Sequence, residues 1–346
     1  MVARAALGRS VRDAAVTHRE QIGYDPFLAG REVERVVGVA GLADGGRAEW
    51  RAIVKRTGGP GLRAARRELA AYRSRLADPN PVHGLRSPKL FAWDEGADHV
   101  EIWLEELRDA LSGVWPVERF GLAARHVAAF DAWASMQRLP EAFDSEDAWA
   151  ERHGQPERVS EALTQLDALR RAPGANDVMG ALDDDDFRRT GALIASTQER
   201  IDRLATFPQT PLHHDLVRSN LFAIDNGSTA AIDWENVGRG PLGVDLAPLV
   251  VGSVRRGEAS SDDLEALEQT VLEGYIAGLR DAGIRHDDVG ETYRLALGLR
   301  WHVVIGAIGT ALDRTITRIR GSRPDEPREE SLRHLLAVAR YLLDAG

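Results

Sequence analysis

Hydrophobic and polar positions alternate through the first hundred residues. Residues 31–41 (REVERVVGVAG) interleave apolar and polar side chains, Asp44-Gly45-Gly46 supplies turn chemistry, and 48–55 (AEWRAIVK) is an apolar-rich run ending on Lys55. Two such runs around a glycine-containing turn predict a β-hairpin. Past Gly58-Gly59-Pro60 the period changes. Leu62, Ala65, Leu69, Tyr72 and Leu76 fall on one face of a helix over 62–76, and Glu68 stands beside that stripe. Strand character returns at 89–93 and 99–106, joined by a turn-like 94–98.

From Glu118 onward the period is helical, over 118–136, 156–171, 187–205, 262–282, 287–320 with an internal break, and 329–344. Gly or Pro punctuates most of these ends. The acidic run Asp183 to Asp186 reads as a solvated N-terminal helix cap. His302, Trp133, Trp149 and Trp301 read as core side chains of helices. The exception is 212–232, where a loop and a second hairpin interrupt the helices. The pattern predicts an α+β protein with a β-rich part over 1–107 and a helical part over 108–346, and the boundary falls within 106–112.

Composition narrows the class. The chain has 346 residues and 43% hydrophobic positions, enough for a substantial core and about two domains. It has no Cys, which excludes disulfides, thiolate metal sites and cysteine nucleophiles. A net charge of −10 argues against a nucleic-acid binder and suits a cationic ligand. The longest apolar stretch, 301–312, is shorter than the ~20 residues a bilayer requires, and the N-terminus lacks the apolar core of a signal peptide. The expected location is cytoplasmic, away from a membrane. Of 44 basic residues only Lys55 and Lys89 are lysines, so each marks a place where an ammonium stands against an arginine background.

The chemistry concentrates in 212–235, LHHDLVRSNLFAIDNGSTAAIDWE. Asp225-Asn226-Gly227-Ser228 is a turn between two apolar runs. Pairing Ile224 with Thr229 across it sets Leu221 against Ile232 and Asn220 against Asp233. Cross-strand neighbours lie about 5 Å apart at Cβ, so an amide oxygen and a carboxylate there can share one hard cation. Asn plus Asp with open positions suits Mg2+, which takes phosphates and water as its other ligands. Asp215, in the loop five residues before Asn220, is a carboxylate able to accept a hydroxyl proton as that oxygen attacks phosphorus.

The run H-x-D-x-x-x-x-N followed by I-D-W-E resembles the aminoglycoside phosphotransferase and choline kinase family of the protein-kinase-like fold. The resemblance implies a bilobal architecture, with a small antiparallel sheet and one helix before a larger helical lobe. It implies Asp215 as catalytic base, Asn220 and Asp233 as Mg2+ ligands, His213 as a brace of the loop, and Asp245 of the GVDLA segment as its structural support. It implies that Lys55, paired with Glu68 of the next helix, holds the phosphates of ATP, with GTP as the alternative. The Glu105-Glu106-Leu107 segment looks like the hinge whose backbone, at Glu105 and Leu107, reads the adenine edge. Two features depart from the family pattern. His214 stands where the family usually has Gly, and no G-x-G-x-x-G precedes Lys55, which leaves Gly23 to Gly30 as the candidate phosphate-covering loop.

The resemblance implies transfer of a γ-phosphoryl group to a hydroxyl of a small molecule, with an aminoglycoside-like antibiotic as the leading acceptor. Acceptor pockets of this family are lined by carboxylates, so a cationic acceptor would meet Glu235, Asp144-Glu146-Asp147 or Asp183 to Asp186. The alternatives are a peptide Ser/Thr, a sugar or an amino alcohol as acceptor, and a nucleotide-binding pseudokinase. The joint presence of base, metal ligands and lysine disfavours the last.

Overall fold

The computed structural model describes residues 1–22, 30–74, 76–78, 84–111, 113–137, 155–172, 182–224, 227–285, 287–316 and 326–345. Residues 23–29 of the candidate phosphate-covering loop, the acidic trio at 144, 146 and 147, Trp149 and residues 317–320 lie outside the described residues. The chain divides into two compact units, Met1–Ala110 with Phe222–Val237, and Leu111–Leu221 with Gly238–Gly346.

The first unit is built on a five-stranded antiparallel sheet. Its strands are β1 (Val11–Gln21), β2 (Arg31–Leu42), β3 (Arg47–Gly58), β5 (Leu90–Glu95) and β6 (His99–Leu104), in the order β1-β2-β3-β6-β5. The expected hairpin is β2 with β3, in register from Gly41–Arg47 to Arg31–Thr57. Its turn closes because the Leu42 amide donates to the Gly46 carbonyl (2.7 Å) and Gly45 takes φ +93°, which a Cβ would disfavour. Val36, Ala40, Trp50, Ala52 and Val54 form a core on one sheet face, capped by Ala3 of the short helix α1 (Val2–Leu7). Lys89 Nζ donates to the Ala5 carbonyl (3.4 Å), near the negative end of α1.

Helix α2 (Leu62–Arg73) buries Ala65, Glu68, Leu69 and Tyr72, the predicted stripe together with its neighbouring glutamate. It packs on a 3-10 turn, Trp234–Asn236, in which Trp234 is fully buried. The 222–237 segment thus joins the β-rich unit although helices surround it in sequence. It contains β9 (Thr229–Ala231), which pairs in parallel with β4 (Leu85–Arg86), and adjoins β8 (Leu221–Ala223). The hairpin closes on Ile224 and Ser228, whose N–H···O distance is 3.0 Å, with Gly227 at φ +81°. Ile224 thus meets Ser228, so the ladder slips one residue from the expected Ile224–Thr229 register.

The second unit is mainly helical. Its helices are α3 (Val117–Ala134), α4 (Pro156–Arg170), α5 (Asp184–Ala195), α6 (Thr197–Ala205), α7 (Ser253–Arg255), α8 (Leu264–Asp281), α9 (Val289–Gly298), α10 (Trp301–Leu312) and α11 (Arg328–Ala345). Asp183 caps α5 in a reciprocal capping box with Asp186, as the acidic run predicts. The single helix expected over 187–205 breaks between α5 and α6. Ser196 and Thr197 turn their hydroxyls back onto the carbonyls of Leu193 and Ile194 (3.0 and 2.7 Å), competing with the helical ladder. Helices α3 and α8 approach so closely that a Cβ at Gly274 would overlap the Gly121 carbonyl.

The apolar segment Val289–Leu312 is long enough to cross a membrane, but 56% of its most apolar window is buried inside the protein. Trp301 and its neighbours Val303 and Val304 are core, whereas His302 is exposed, contrary to the expected core histidine. It falls on the outward face because the buried stripe of α10 runs through Trp301, Val304, Ile305 and Ile308.

Candidate active site

In the first unit, Lys55 is the centre of a charged cluster. Its Nζ lies 2.7 Å from Glu68 Oε1 and 2.6 Å from Asp233 Oδ1. The strand β3 carries the lysine, the buried side of α2 carries the glutamate, and the end of the second hairpin carries the aspartate. Burial works against the lysine's charge, but Asp233 and Glu68 outweigh it and hold its pKa well above the usual lysine value. The Tyr72 phenol, also buried, adjoins the same three groups. Asp233 adopts a left-handed backbone (φ +67°), which turns the chain from β9 into the Trp234–Asn236 turn.

Glu235 follows two residues later. Its carboxylate pairs with Arg31 at the start of β2, and Arg67 approaches its carbonyl (3.5 Å). Glu105, after β6, is fixed by Arg86 (2.8 Å to its carboxylate), while its amide donates to the Lys89 carbonyl (2.9 Å). Arg35 holds Glu106 (2.6 Å). The side chains of the hinge-like segment are thereby tied back to the sheet, and Leu107 follows them half-buried.

In the second unit, residues 213–220 form a loop after β7 (Thr210–Leu212), which pairs with β10 (Gly238–Gly240). Asp245 Oδ2 accepts the amide of His213 (2.9 Å) and also bonds the backbone of His214. His213 Nδ1 accepts the amide of Asp215 (3.3 Å). Asn220 Nδ2 donates to the Asp215 carbonyl (2.9 Å) and lies 3.3 Å from its carboxylate. His213, Asp215, Asn220 and Asp245 are thus brought into one hydrogen-bonded loop, in which the half-buried Asp215 stands among mostly buried neighbours.

His214 is 2% exposed and does not point into solvent. Its Nε2 donates to the Arg239 carbonyl (3.1 Å), its Nδ1 is 4.0 Å from Asp245 Oδ1, and its ring rests on Gly240. Its φ is +62°, the conformation for which a glycine is the ordinary choice. Among the described residues, His214 and Asp233 are the two non-glycine residues with positive φ. Such backbone costs about 1–3 kcal/mol and collects where function constrains the chain. Burial pushes Asp245 up to about 7, against the lowering effect of the two backbone amides. Beneath it, buried Tyr275 of α8 donates to Asp131 of α3 (2.7 Å) and accepts the Gly243 amide (3.2 Å), which ties the helices to the turn before Asp245.

Several groups at these two places carry no sequence signature. Arg218, buried within the loop, donates to the carbonyls of Leu221 (2.9 Å) and Leu111 (3.2 Å) and stacks 4.0 Å from the Trp115 ring. In a chain with so many arginines, nothing in the spacing separates it from a surface residue. Arg31 and Tyr72 were equally hidden, the first as a strand-end charge and the second as part of an apolar stripe.

The profile of the phosphotransferase enzyme family matches residues 41–282. Among solved structures, the chain is similar to an aminoglycoside phosphotransferase from Alicyclobacillus acidocaldarius, with 13% identity, a TM-score of 0.56, and coverage of 99% of this chain and 94% of that one. It is also similar to amicoumacin kinase hAmiN in complex with AMP-PNP, Ca2+ and Ami (12%, 0.53, 95% and 88%). A third such structure is Plasmodium vivax ethanolamine kinase (11%, 0.52, 95% and 83%). Comparison with curated protein sequences gives no match. At these identities the likeness establishes the protein-kinase-like fold.

Proposed function

We propose that this chain, which belongs to the phosphotransferase enzyme family, moves the γ-phosphoryl group of ATP to a hydroxyl of a small molecule, with an aminoglycoside-like antibiotic as the acceptor. The observation that carries this reading is Lys55 held between buried Glu68 and half-buried Asp233 in a charged cluster. A surface lysine has no need of two carboxylates on its ammonium, one of them buried, whereas an ammonium that must meet phosphates has to be aimed and kept charged.

In this reading Lys55, fixed by Glu68, positions the phosphates. Asp215 orients the acceptor hydroxyl and takes its proton. His213 and Asp245 hold the loop so that Asp215 keeps its place, and the Glu105–Leu107 backbone receives the adenine. The donor set fits a hard divalent cation. Asn220 commits its Nδ2 to Asp215, which leaves its amide oxygen as the ligand, and Asp233 supplies a carboxylate. Asn220 and Asp233 would hold Mg2+, which when bound neutralises charge on the phosphate oxygens. Rate enhancement then comes mostly from positioning and charge stabilisation of a loose transition state. Similar solved structures of an aminoglycoside phosphotransferase and an amicoumacin kinase support a small-molecule acceptor, and the net charge of −10 suits a cationic one. Glu235 is an unfavoured acceptor contact, because Arg31 already holds its carboxylate.

The test is ADP release with ATP and Mg2+ over panels of aminoglycosides, other amino-sugar antibiotics, amino alcohols and peptides. Asp215→Asn is expected to lower transfer by about 10²–10⁴-fold while nucleotide binding persists. Undiminished turnover in that variant would overturn the assignment of the base, and release stimulated only by peptides would overturn the acceptor class.

A further inference from the structure

The start of α11 carries a side-chain cluster that phosphoryl transfer does not use. Glu330 and His334 stand one turn apart on the same face of α11, and Glu326 lies just before the helix, four residues ahead of Glu330. One ligating atom from each lies within 4.8 Å of the other two. His334 Nε2 is 3.7 Å from Glu326 Oε1 and 3.9 Å from Glu330 Oε1, too far for hydrogen bonds. The three groups face a common gap without satisfying one another.

The independent observation is the state of Glu326. Its side chain is 0% exposed, and among the described residues Oε1 has no hydrogen-bond partner. Its other oxygen, Oε2, is held by the Ser331 hydroxyl, which fixes the carboxylate with Oε1 turned towards the imidazole. Gly257, at φ +66°, lies against that oxygen, where a Cβ would overlap it. A buried carboxylate oxygen left in this way is costly unless a charge or a donor meets it.

We propose that Glu326, Glu330 and His334 form a binding site for one divalent transition-metal cation of the zinc class, which pins the start of α11 to the turn at Gly257. Two carboxylates and a neutral imidazole carry two negative charges, which such a cation balances. An imidazole in the set favours zinc over magnesium or calcium. Zinc about 2.1 Å from each donor keeps tetrahedral ligands about 3.4 Å apart, so the two His334–carboxylate pairs, at 3.7 and 3.9 Å, lie close to the spacing that zinc requires. Glu330 is 40% exposed, which leaves the fourth position open to water.

The experiment uses the full chain, stripped with a chelator and titrated with zinc against a chromophoric competitor. Wild type is expected to take up one equivalent and to melt at higher temperature with zinc present. His334→Ala and Glu330→Gln should each weaken uptake by at least about tenfold. Glu330 is exposed, so its substitution leaves the fold intact and keeps the test decisive. Asp233→Asn, in the proposed Mg2+ set, should bind zinc as wild type does. Absence of stoichiometric uptake, uptake unchanged in both cluster variants, or uptake lost with Asp233→Asn would each overturn the proposal.

Discussion

Lys55 and Asp233 stand 178 residues apart in sequence, yet Nζ and Oδ1 are 2.6 Å apart. With Glu68 at 2.7 Å on the other side, the ammonium occupies a space set by two carboxylates. A guanidinium is broader and planar, and it cannot take both contacts at these distances without moving α2 or the 233–236 turn.

Lys55→Arg therefore retains the charge and loses the geometry. We expect kcat/KM to fall by at least about tenfold, equivalent to about 1.4 kcal/mol of transition-state stabilisation, with the KM for nucleotide raised. Steady-state kinetics at saturating acceptor checks this, and near-wild-type turnover would mean that the lysine is incidental in this arginine-rich chain.

Asp245 predicts a pH dependence of stability. Its pKa is near 3.8 in the unfolded chain and is raised to about 7 in the fold, chiefly by burial. Between those values the folded protein holds a proton that the unfolded chain has released. Stability contributed by this group is thus fully present below about pH 4 and is lost as pH rises towards about 7. Asp245→Asn, which resembles the protonated acid, should flatten that slope relative to wild type. Thermal melts of both proteins across the window decide it, and parallel curves would show that Asp245 titrates normally.

His214 and Gly240 predict a coupled pair. A Cβ at Gly240 would come within 2.7 Å of the His214 ring, so Gly240→Ala should destabilise the wild type. His214→Gly removes a left-handed backbone cost of about 1–3 kcal/mol. It also removes a buried ring and its bond to Arg239, together worth about 2–5 kcal/mol, so the net effect is destabilising. In the double variant the alanine fills space that the ring has left, and the combined loss should be smaller than the sum of the two by at least about 0.5 kcal/mol. Denaturant unfolding of the four proteins measures the cycle, and strict additivity would show that ring and glycine do not interact.

Local pattern alone determined much of this protein. The alternation over 31–55, the stripe from Leu62 to Tyr72 and the capping run at Asp183 each specify an element, because period and cap chemistry act within a few residues. The spacing of Asp215, Asn220 and Asp233 in the chain suits a phosphoryl-transfer site. The tertiary structure decided what depends on distant partners. The hairpin register followed turn hydrogen bonds rather than the apolar runs, and the 187–205 helix broke where two hydroxyls found carbonyls. His214, which read as a departure from a glycine pattern, became an internal clamp once Arg239 and Gly240 were brought to it. The two lysines show the same division. Sequence made both conspicuous, but only folding set Lys55 between Glu68 and Asp233 and left Lys89 at the end of α1, because which carboxylate or carbonyl meets an ammonium depends on tertiary contacts and not on its neighbours in the chain.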